Sequence, residues 1–226
     1  MMKIILKIGG SILYENGEIS LSMLQKWITT IRQLRDMGHT LGVVVGGGIP
    51  ARTFGKIAKK LGANAAFQDL IGIEAARQNA RLLISGLNEA YPHPPMNYHE
   101  LIATSAVHPL VITGGFQPGQ STNAVAAIIA EHLQADYLFN LSNVKKVYDK
   151  DPSIHSDAKS NDELSYEQLF NIIRQNEQSP GKYALFDTLG LEVVTRSKIP
   201  LVFLDGRSPE FVIDVLNGES RGTIIK

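Results

Sequence analysis

The sequence predicts an α/β protein in which a mainly parallel central sheet lies between two layers of helices. Apolar runs of strand length alternate with longer segments whose apolar side chains recur at helical spacing, which is typical of parallel sheets. In addition, three predicted strands lead directly into glycine clusters, at Gly9-Gly10, Gly46-Gly47-Gly48 and Gly114-Gly115. Ligands of such sheets bind beyond the carboxyl ends of the strands. The clusters therefore predict one crevice at one edge of the sheet.

The first part of the chain is predicted to alternate strands with helices. Strand 4–8 is followed by helix 20–37, with Ser20 or Ser22 as its cap and Gly38 after its last turn. Pro50 suits the first turn of a helix, because its missing N–H has no partner there. The same reasoning gives the remaining elements, which are strand 41–45, helix 50–61, helix 69–87, a proline-rich loop at 91–95, strand 110–113 and helix 122–133.

The second part of the chain is predicted to continue the sheet after a long interruption. Strand 137–141 is followed by a long polar loop that covers residues 143–162. The elements beyond the loop are helix 165–175, helix 187–196, strand 201–204, helix 209–216 and strand 223–225. We predict a single domain over residues 1–226. Its N-terminal part, about 1–135, holds the glycine clusters, and its C-terminal part, about 136–226, holds the polar loop.

The composition of the chain limits which kinds of binding partner are expected. Lys plus Arg and Asp plus Glu both number 22, so there is no net field to attract nucleic acid or an anionic membrane, and neither is an expected partner. The sequence has no cysteine, which excludes disulfides and thiol chemistry. No apolar stretch is long enough to span a bilayer, and glycine follows the first apolar run too soon for a signal peptide. A cytoplasmic protein is expected.

The glycine clusters point to phosphate as the ligand. Glycine lets a ligand approach backbone N–H groups closely, and the start of a following helix favours an anion. Lys7 stands just before the first cluster and would place an ammonium group beside a phosphate held there. Two structural alternatives remain open: Lys7 as a solvated edge residue, and the glycines as turns that tighten strand–helix packing. The P-loop and dinucleotide-binding signatures are both absent from the sequence.

Motifs along nearly the whole chain resemble the amino-acid kinase superfamily, and within it the archaeal-type uridylate kinases. The resemblance rests on their order and spacing rather than on any one of them. They are Lys7-Ile8-Gly9-Gly10-Ser11, residues 43–48, Asp69-Leu70-Ile71-Gly72-Ile73, Asn79-Ala80-Arg81-Leu82-Leu83-Ile84, Gly114-Gly115 with Pro118-Gly119, Thr122-Asn123-Ala124-Val125-Ala126-Ala127, Ser142-Asn143-Val144, Val147-Tyr148, Asp151-Pro152, Phe186-Asp187 and Asp205-Gly206-Arg207.

The resemblance implies a three-layer α/β/α sandwich that transfers the γ-phosphoryl group of ATP to UMP, giving UDP for pyrimidine biosynthesis. It places UMP in the N-terminal part, at Gly46, Asp69, Phe116, Gln117, Pro118, Gly119, Gln120, Ser121 and Thr122. It draws the ATP site from both parts, at Lys7, Ile8, Gly9, Gly10, Ser11, Gly47 and Arg52 and, in the C-terminal ATP part, at Ser142, Asn143, Tyr148 and Asp151. The implied catalytic residues are Lys7, Arg52 and Asn123. Mg²⁺ is expected on the ATP phosphates without a dedicated protein ligand cluster, and relatives of this kind are typically homohexamers.

The chain departs from the family pattern at three places. Asn123 stands where the family has Asp, Lys145-Lys146 replaces an Asp-Gly turn beside the adenine pocket, and Gly190-Leu191-Glu192 replaces Ala-Ala-Lys. Two alternatives therefore remain: a related phosphotransferase acting on a small carboxylate or phosphate, and a non-catalytic nucleotide- or oxyanion-binding protein. The six histidines show no metal-ligand spacing and are expected at the surface or in loops.

Several implied site residues also have a purely structural interpretation. Asp69 and Thr122 are each candidates for a helix cap, and Arg52 for an ion pair with a neighbouring carboxylate. Tyr148 is a candidate core residue, and Asp151 precedes a proline as turn residues often do.

Overall fold

The computed structural model describes residues 1–177 and 185–226, and the predicted fold class is confirmed. Its strands are β1 Lys3–Ile8, β2 Tyr14–Glu15, β3 Glu18–Ile19, β4 Thr40–Val45, β5 Leu110–Thr113, β6 Tyr137–Ser142, β7 Val147–Tyr148, β8 Ser160–Asn161, β9 Glu163–Leu164, β10 Leu201–Asp205 and β11 Thr223–Ile225. Its α-helices are α1 Leu21–Asp36, α2 Gly48–Lys60, α3 Ala65–Ile84, α4 Tyr98–Ser105, α5 Thr122–Leu133, α6 Tyr166–Glu177, α7 Thr188–Ser197 and α8 Phe211–Leu216. A 3₁₀ helix covers Gly10–Leu13.

The main sheet runs through both parts of the chain. Within the described residues it has seven strands in the order β5-β4-β1-β6-β10-β11-β9. The five strands from β5 to β10 are parallel, and only the pairing of β10 with β11 is antiparallel. In the register of the three central strands, Lys7 lies between Val44 and Asn140. The carboxyl ends of β4, β1 and β6 therefore lie side by side, where the crevice was predicted.

Helices cover both faces of this sheet and enclose two separate cores. One core joins Ile5 and Leu138 to Val125 of α5 and Leu191 of α7. The other core contains Ile4 and Leu6, which alternate along β1 with Ile5. They belong to one cluster with Trp27 of α1, Leu83 of α3 and Val212 of α8. Strands buried on both faces need apolar side chains at every position, which explains the continuous apolar runs of the sequence.

The sequence did not predict the small elements outside the main sheet. Strands β2 and β3 form a hairpin whose turn residues, Asn16 and Gly17, have φ of 51° and 90°. Asn-Gly between two short strands is the usual signal for such a turn, so this hairpin was detectable. Helix α4 was also missed, and β7 and β8 pair within the segment predicted to be a polar loop. Helices α2 and α3 begin at Gly48 and Ala65, earlier than predicted.

None of the described helices combines the length and the apolar character needed to cross a membrane. One histidine departs from expectation, because His39 is buried and its Nδ1 accepts a hydrogen bond from the Met2 amide over 3.2 Å.

Candidate active site

The first two glycine clusters pack directly against each other at the carboxyl ends of β1 and β4. A Cβ atom on Gly46 would lie 2.7 Å from the Gly10 nitrogen, and one on Gly48 would lie 2.6 Å from the Gly10 carbonyl oxygen. Gly48 also has a φ of +65°, in the left-handed region that favours glycine. We call Gly9-Gly10-Ser11 the first glycine turn and Gly46-Gly47-Gly48 the second. Their contact requires glycine on both sides.

The third glycine cluster has a different neighbour. A Cβ on Gly114 would lie 2.7 Å from the Arg77 nitrogen, and one on Gly115 would lie 2.9 Å from Cγ1 of Ile73. Gly114 and Gly115 therefore let the end of β5 rest on α3. For this cluster, the interpretation that glycine tightens strand–helix packing is correct. The cluster also begins the segment from Phe116 to Thr122, which we call the acceptor turn.

A cavity of about 400 Å³ lies between α2, α3 and the acceptor turn. Five residues that the sequence assigned to nucleotide binding line it together: Gly47, Arg52, Asp69, Gln120 and Thr122. Its wall also contains residues that the sequence analysis did not assign to UMP, ATP or catalysis, namely Ala51, Gly55, Lys56, Gln68, Gly72, Ile73, Ala76 and Gly115. Lys56 was missed because an exposed helical lysine carries no local signal of a ligand.

The acceptor turn is attached to the two neighbouring helices by carboxylates. The Gly119 N–H donates to Oδ2 of Asp69 over 2.9 Å, and the Ser121 hydroxyl donates to Oδ2 of Asp187 over 2.5 Å. Gly119 has a φ of +79° and open space around it, so the tip of the turn is exposed. The remaining predicted residues of the turn are the half-buried Phe116 and the exposed Gln117 and Pro118.

Neither candidate for a helix cap takes that role. Helix α3 is capped by Asn64, whose Oδ1 accepts from the Phe67 amide, and Asp69 lies inside the helix. Helix α5 is capped by Ser121, and Thr122 is its first residue. The structural interpretation of Asp69 and Thr122 as caps is therefore wrong, and both residues line the cavity.

Lys7 is half-buried at the end of β1, between the first glycine turn and the neighbouring strands. Burial lowers the pKa of Lys7 to about 8, and the nearby carboxylate of Asp187 partly opposes this shift. The cation is thus poorly hydrated and faces one compensating charge, which suits a group that binds a phosphate. Asp187 also caps α7, where Oδ1 accepts from the Gly190 amide. The sequence analysis placed Asp187 in a motif but assigned it no role.

We expect Asp187→Asn to move the alkaline limb of the pH profile of kcat/KM to lower pH. The carboxylate raises the pKa of Lys7, so its removal lets the lysine lose its proton earlier. Asparagine retains an oxygen for the cap of α7. The matched control is Glu192→Gln on the exposed face of α7, which should leave the limb in place. An unshifted limb in Asp187→Asn would show that this carboxylate does not act on the titrating group.

The predicted donor-side residues follow the carboxyl ends of β1 and β6. The Gly9 amide donates to the Leu141 carbonyl over 2.7 Å, so the first glycine turn adjoins Ser142 at the end of β6. Ile8 is buried in β1, whereas Ser11 and Asn143 are exposed. These residues form a continuous rim beside Lys7.

Tyr148 and Asp151 lie farther along the chain, outside the lining of the cavity. Tyr148 is half-buried on β7. Asp151 accepts from both the amide and the hydroxyl of Ser153, at 2.8 and 2.7 Å, and these hydrogen bonds lower its pKa. The turn interpretation of Asp151 is therefore correct for this structure, and a ribose hydroxyl would have to share its carboxylate.

The other two candidate catalytic residues differ in their surroundings. Arg52 is exposed on α2 and forms no ion pair with any residue that the structure describes, so its predicted pairing with a carboxylate is not found. Asn123 is half-buried, and its buried Oδ1 has no hydrogen-bond partner in the described part of the chain. Lys146, one of the two lysines that depart from the family pattern, forms an ion pair with Asp162.

No group of three or more His, Asp or Glu side chains suited to a metal ion occurs within residues 1–177 and 185–226. Arg52 and Lys56 line the cavity, and both side chains are donors for phosphate oxygens.

Comparison with known proteins bears out the resemblance found in the motifs. A family model described as the amino acid kinase family matches residues 2–205. A uridylate kinase of Hyperthermus butylicus is 40% identical over 223 residues, covering 98% of this chain and 97% of that protein. One from Methanothermobacter thermautotrophicus is 40% identical over 225 residues, covering 99% of each. The crystal structure of a uridylate kinase from Archaeoglobus fulgidus matches all of both chains, with a TM-score of 0.89 and 36% identity.

Proposed function

This chain belongs to the amino acid kinase family, and we propose that it transfers the γ-phosphoryl group of ATP to UMP, giving UDP. The observation that carries the proposal is the cavity lined by Gly47, Arg52, Asp69 and the acceptor turn. It adjoins the two packed glycine turns and has the volume of a small-molecule site.

Each side of the cavity suits one portion of a nucleoside monophosphate. The Asp69 carboxylate accepts hydrogen bonds only, which matches the hydroxyls of a ribose. The side chains of Arg52 and Lys56 donate hydrogen bonds, which matches a phosphate. We assign UMP to Gly46, Asp69 and the acceptor turn, and Mg-ATP to the rim formed by the first glycine turn, Ser142 and Asn143. Tyr148 would face the base of ATP, and Asp151 its ribose.

Phosphoryl transfer requires alignment of donor and acceptor and neutralisation of the charge on the transferred group. We assign this neutralisation to Lys7 at the end of β1 and to Arg52 on α2. Asn123 would contribute a neutral hydrogen bond. Mg²⁺ would enter on the ATP phosphates and neutralise part of their charge.

The direct test is purified protein supplied with Mg-ATP and a panel of nucleoside monophosphates. We expect UMP to give the highest rate of ADP formation. If UMP is inactive while a small carboxylate or phosphate is phosphorylated, the chain is a related phosphotransferase. Calorimetric binding of ATP without turnover on any acceptor would instead support a non-catalytic nucleotide-binding protein.

Asp69→Asn should raise the KM for UMP about tenfold or more and leave the KM for ATP nearly unchanged. A charge-assisted hydrogen bond to a ribose hydroxyl is worth about 1.5–3 kcal/mol, which corresponds to this change. Steady-state kinetics with each substrate varied in turn measures both constants. Equal effects on the two KM values would contradict the assignment of Asp69 to UMP.

We also propose that the chain forms a homo-oligomer, as the resemblance to hexameric relatives implies. Helices α2 and α3 expose a contiguous apolar face, on which Phe54, Ile57, Leu61 and Phe67 are 51–83% accessible. Exposed apolar patches of this kind usually mark a protein interface. A second copy of the chain offers the same face, so a two-fold contact would bury both.

Phe54→Glu combined with Leu61→Glu should therefore reduce the molar mass measured by light scattering after size-exclusion chromatography. A charge placed inside an apolar interface carries a large desolvation penalty. Val107→Glu is the control, because Val107 is 74% exposed but lies just beyond α4. An unchanged mass in the double variant would exclude this face as the interface.

We propose, finally, that residues 1–226 act as one cytoplasmic domain supplying UDP to pyrimidine biosynthesis. Residues 1–135 would hold the acceptor, and residues 136–226 would hold most of the donor. The continuity of the main sheet across residue 135 supports a single domain.

A further inference from the structure

A buried amide connects the second glycine turn to the body of α3. Asn79 is 2% exposed, and its Nδ2 donates to the Gly46 carbonyl over 2.8 Å. Its Oδ1 accepts from the hydroxyl of Tyr14 over 2.9 Å. Three segments distant in sequence therefore meet at one side chain: the hairpin that begins at Tyr14, the second glycine turn and α3.

The orientation of the Asn79 amide follows from its partners. A carbonyl oxygen accepts and never donates, so the group facing Gly46 must be the NH₂ of the side chain. Oδ1 then faces Tyr14, whose hydroxyl supplies the proton. Burial raises the pKa of Tyr14, although the hydrogen bond to Asn79 opposes the shift, so the hydroxyl keeps its proton at neutral pH. Tyr14 thus fixes which end of the amide meets the glycine turn.

This contact sets the direction of the next N–H group. In a trans peptide the C=O and the following N–H point in opposite directions, and every peptide bond of the described structure is trans. Because Asn79 holds the Gly46 carbonyl, the Gly47 N–H points away from Asn79. No hydrogen-bond acceptor for this N–H is found among the described residues. Gly47 lines the candidate acceptor cavity, at the junction with the first glycine turn.

We propose that Asn79, oriented by Tyr14, is a positioning residue that directs the Gly47 N–H towards the phosphoryl group in transfer. The inference rests on the proposed phosphotransferase function and adds to it a role for two residues outside the nucleotide contacts. Fixed N–H donors stabilise charge that develops in the transition state, and loss of one such donor lowers kcat by about 10²–10³-fold. A misdirected donor should lower kcat more than it changes the KM of either substrate.

The test compares Asn79→Leu, Tyr14→Phe and Thr104→Val with the wild type, using UMP and Mg-ATP. Leucine resembles asparagine in shape but leaves the Gly46 carbonyl without its donor. Tyr14→Phe retains the amide and removes only the hydroxyl that orients it. Thr104→Val is the control for loss of a buried hydrogen bond, since its Oγ1 donates to the Glu100 carbonyl inside α4.

We expect kcat to fall at least about thirtyfold in Asn79→Leu and about threefold to tenfold in Tyr14→Phe, with both KM values within threefold of wild type. Thr104→Val should change neither constant more than twofold. A kcat in Asn79→Leu within threefold of wild type, or a rise in KM without a fall in kcat, overturns the inference. If Asn79→Leu does not fold, an unchanged kcat in Tyr14→Phe overturns it. Inactivity of the wild type on every acceptor would instead contradict the proposed function, and the inference with it.

Discussion

Replacing Lys7 with methionine should lower kcat by about 10²–10³-fold while leaving the fold intact. Lys7 is the cation at the end of the central strand β1, beside the first glycine turn. Methionine retains the length and most of the volume of the side chain but removes the ammonium group. The loss should therefore fall on charge neutralisation during phosphoryl transfer rather than on packing.

Stability measurements separate the two roles of this side chain. In the folded protein the pKa of Lys7 is about 8, below the ordinary lysine value of 10.5. The unfolded chain therefore binds more protons between these two values, so wild-type stability should rise as the pH increases from about 8 to 10.5. In Lys7→Met this rise should disappear. At neutral pH the variant should be at least as stable as the wild type, because the desolvation that lowers the pKa of Lys7 no longer opposes folding.

The matched control is Lys3→Met, at the exposed start of the same strand. It removes one positive charge from β1 but lies at the opposite end from the glycine turns. We expect its kcat and its unfolding curve to match those of the wild type. Comparable activity of Lys7→Met and Lys3→Met would remove Lys7 from the mechanism.

The sequence predicted where the first two glycine turns lie because the signals for them are local. An apolar run followed by glycine marks both the end of a buried strand and a turn, so the positions of the first two glycine turns followed from the chain alone. The mutual contact of Gly10 with Gly46 and Gly48 did not, because adjacency of β1 and β4 is a property of the sheet order. The same limit applies to Asp187, which reaches Ser121 only through the packing of α7 near α5.

Asn79 illustrates a second limit of sequence analysis. It was recognised as part of a motif, but an asparagine within a helix has no pattern that reveals its partner. Its role depends on Tyr14, 65 positions away in the chain, and on Gly46, 33 positions away. Hydrogen bonds over such separations are set by the tertiary arrangement of elements. Local propensity carries no information about them.

The largest expected effect on stability comes from Gly10→Ala. The added methyl group would overlap the Gly48 nitrogen and the Gly46 carbonyl oxygen, which are both backbone atoms. A flexible side chain can move aside, but these atoms belong to the second glycine turn, whose Gly46 carbonyl is held by Asn79. We therefore expect the free energy of unfolding to fall by about 3 kcal/mol or more.

Gly55→Ala is the control that separates this clash from the general effect of a methyl group on glycine. Gly55 lies within α2, and a Cβ there would meet no atom within 4 Å. Alanine favours the helix, so this variant should be more stable by about 0.5–1 kcal/mol. Urea unfolding measures both changes in the free energy of unfolding, provided that the m-values of the variants equal that of the wild type. If Gly10→Ala is as stable as the wild type, the two turns must separate easily, and their contact would not define the junction between donor and acceptor.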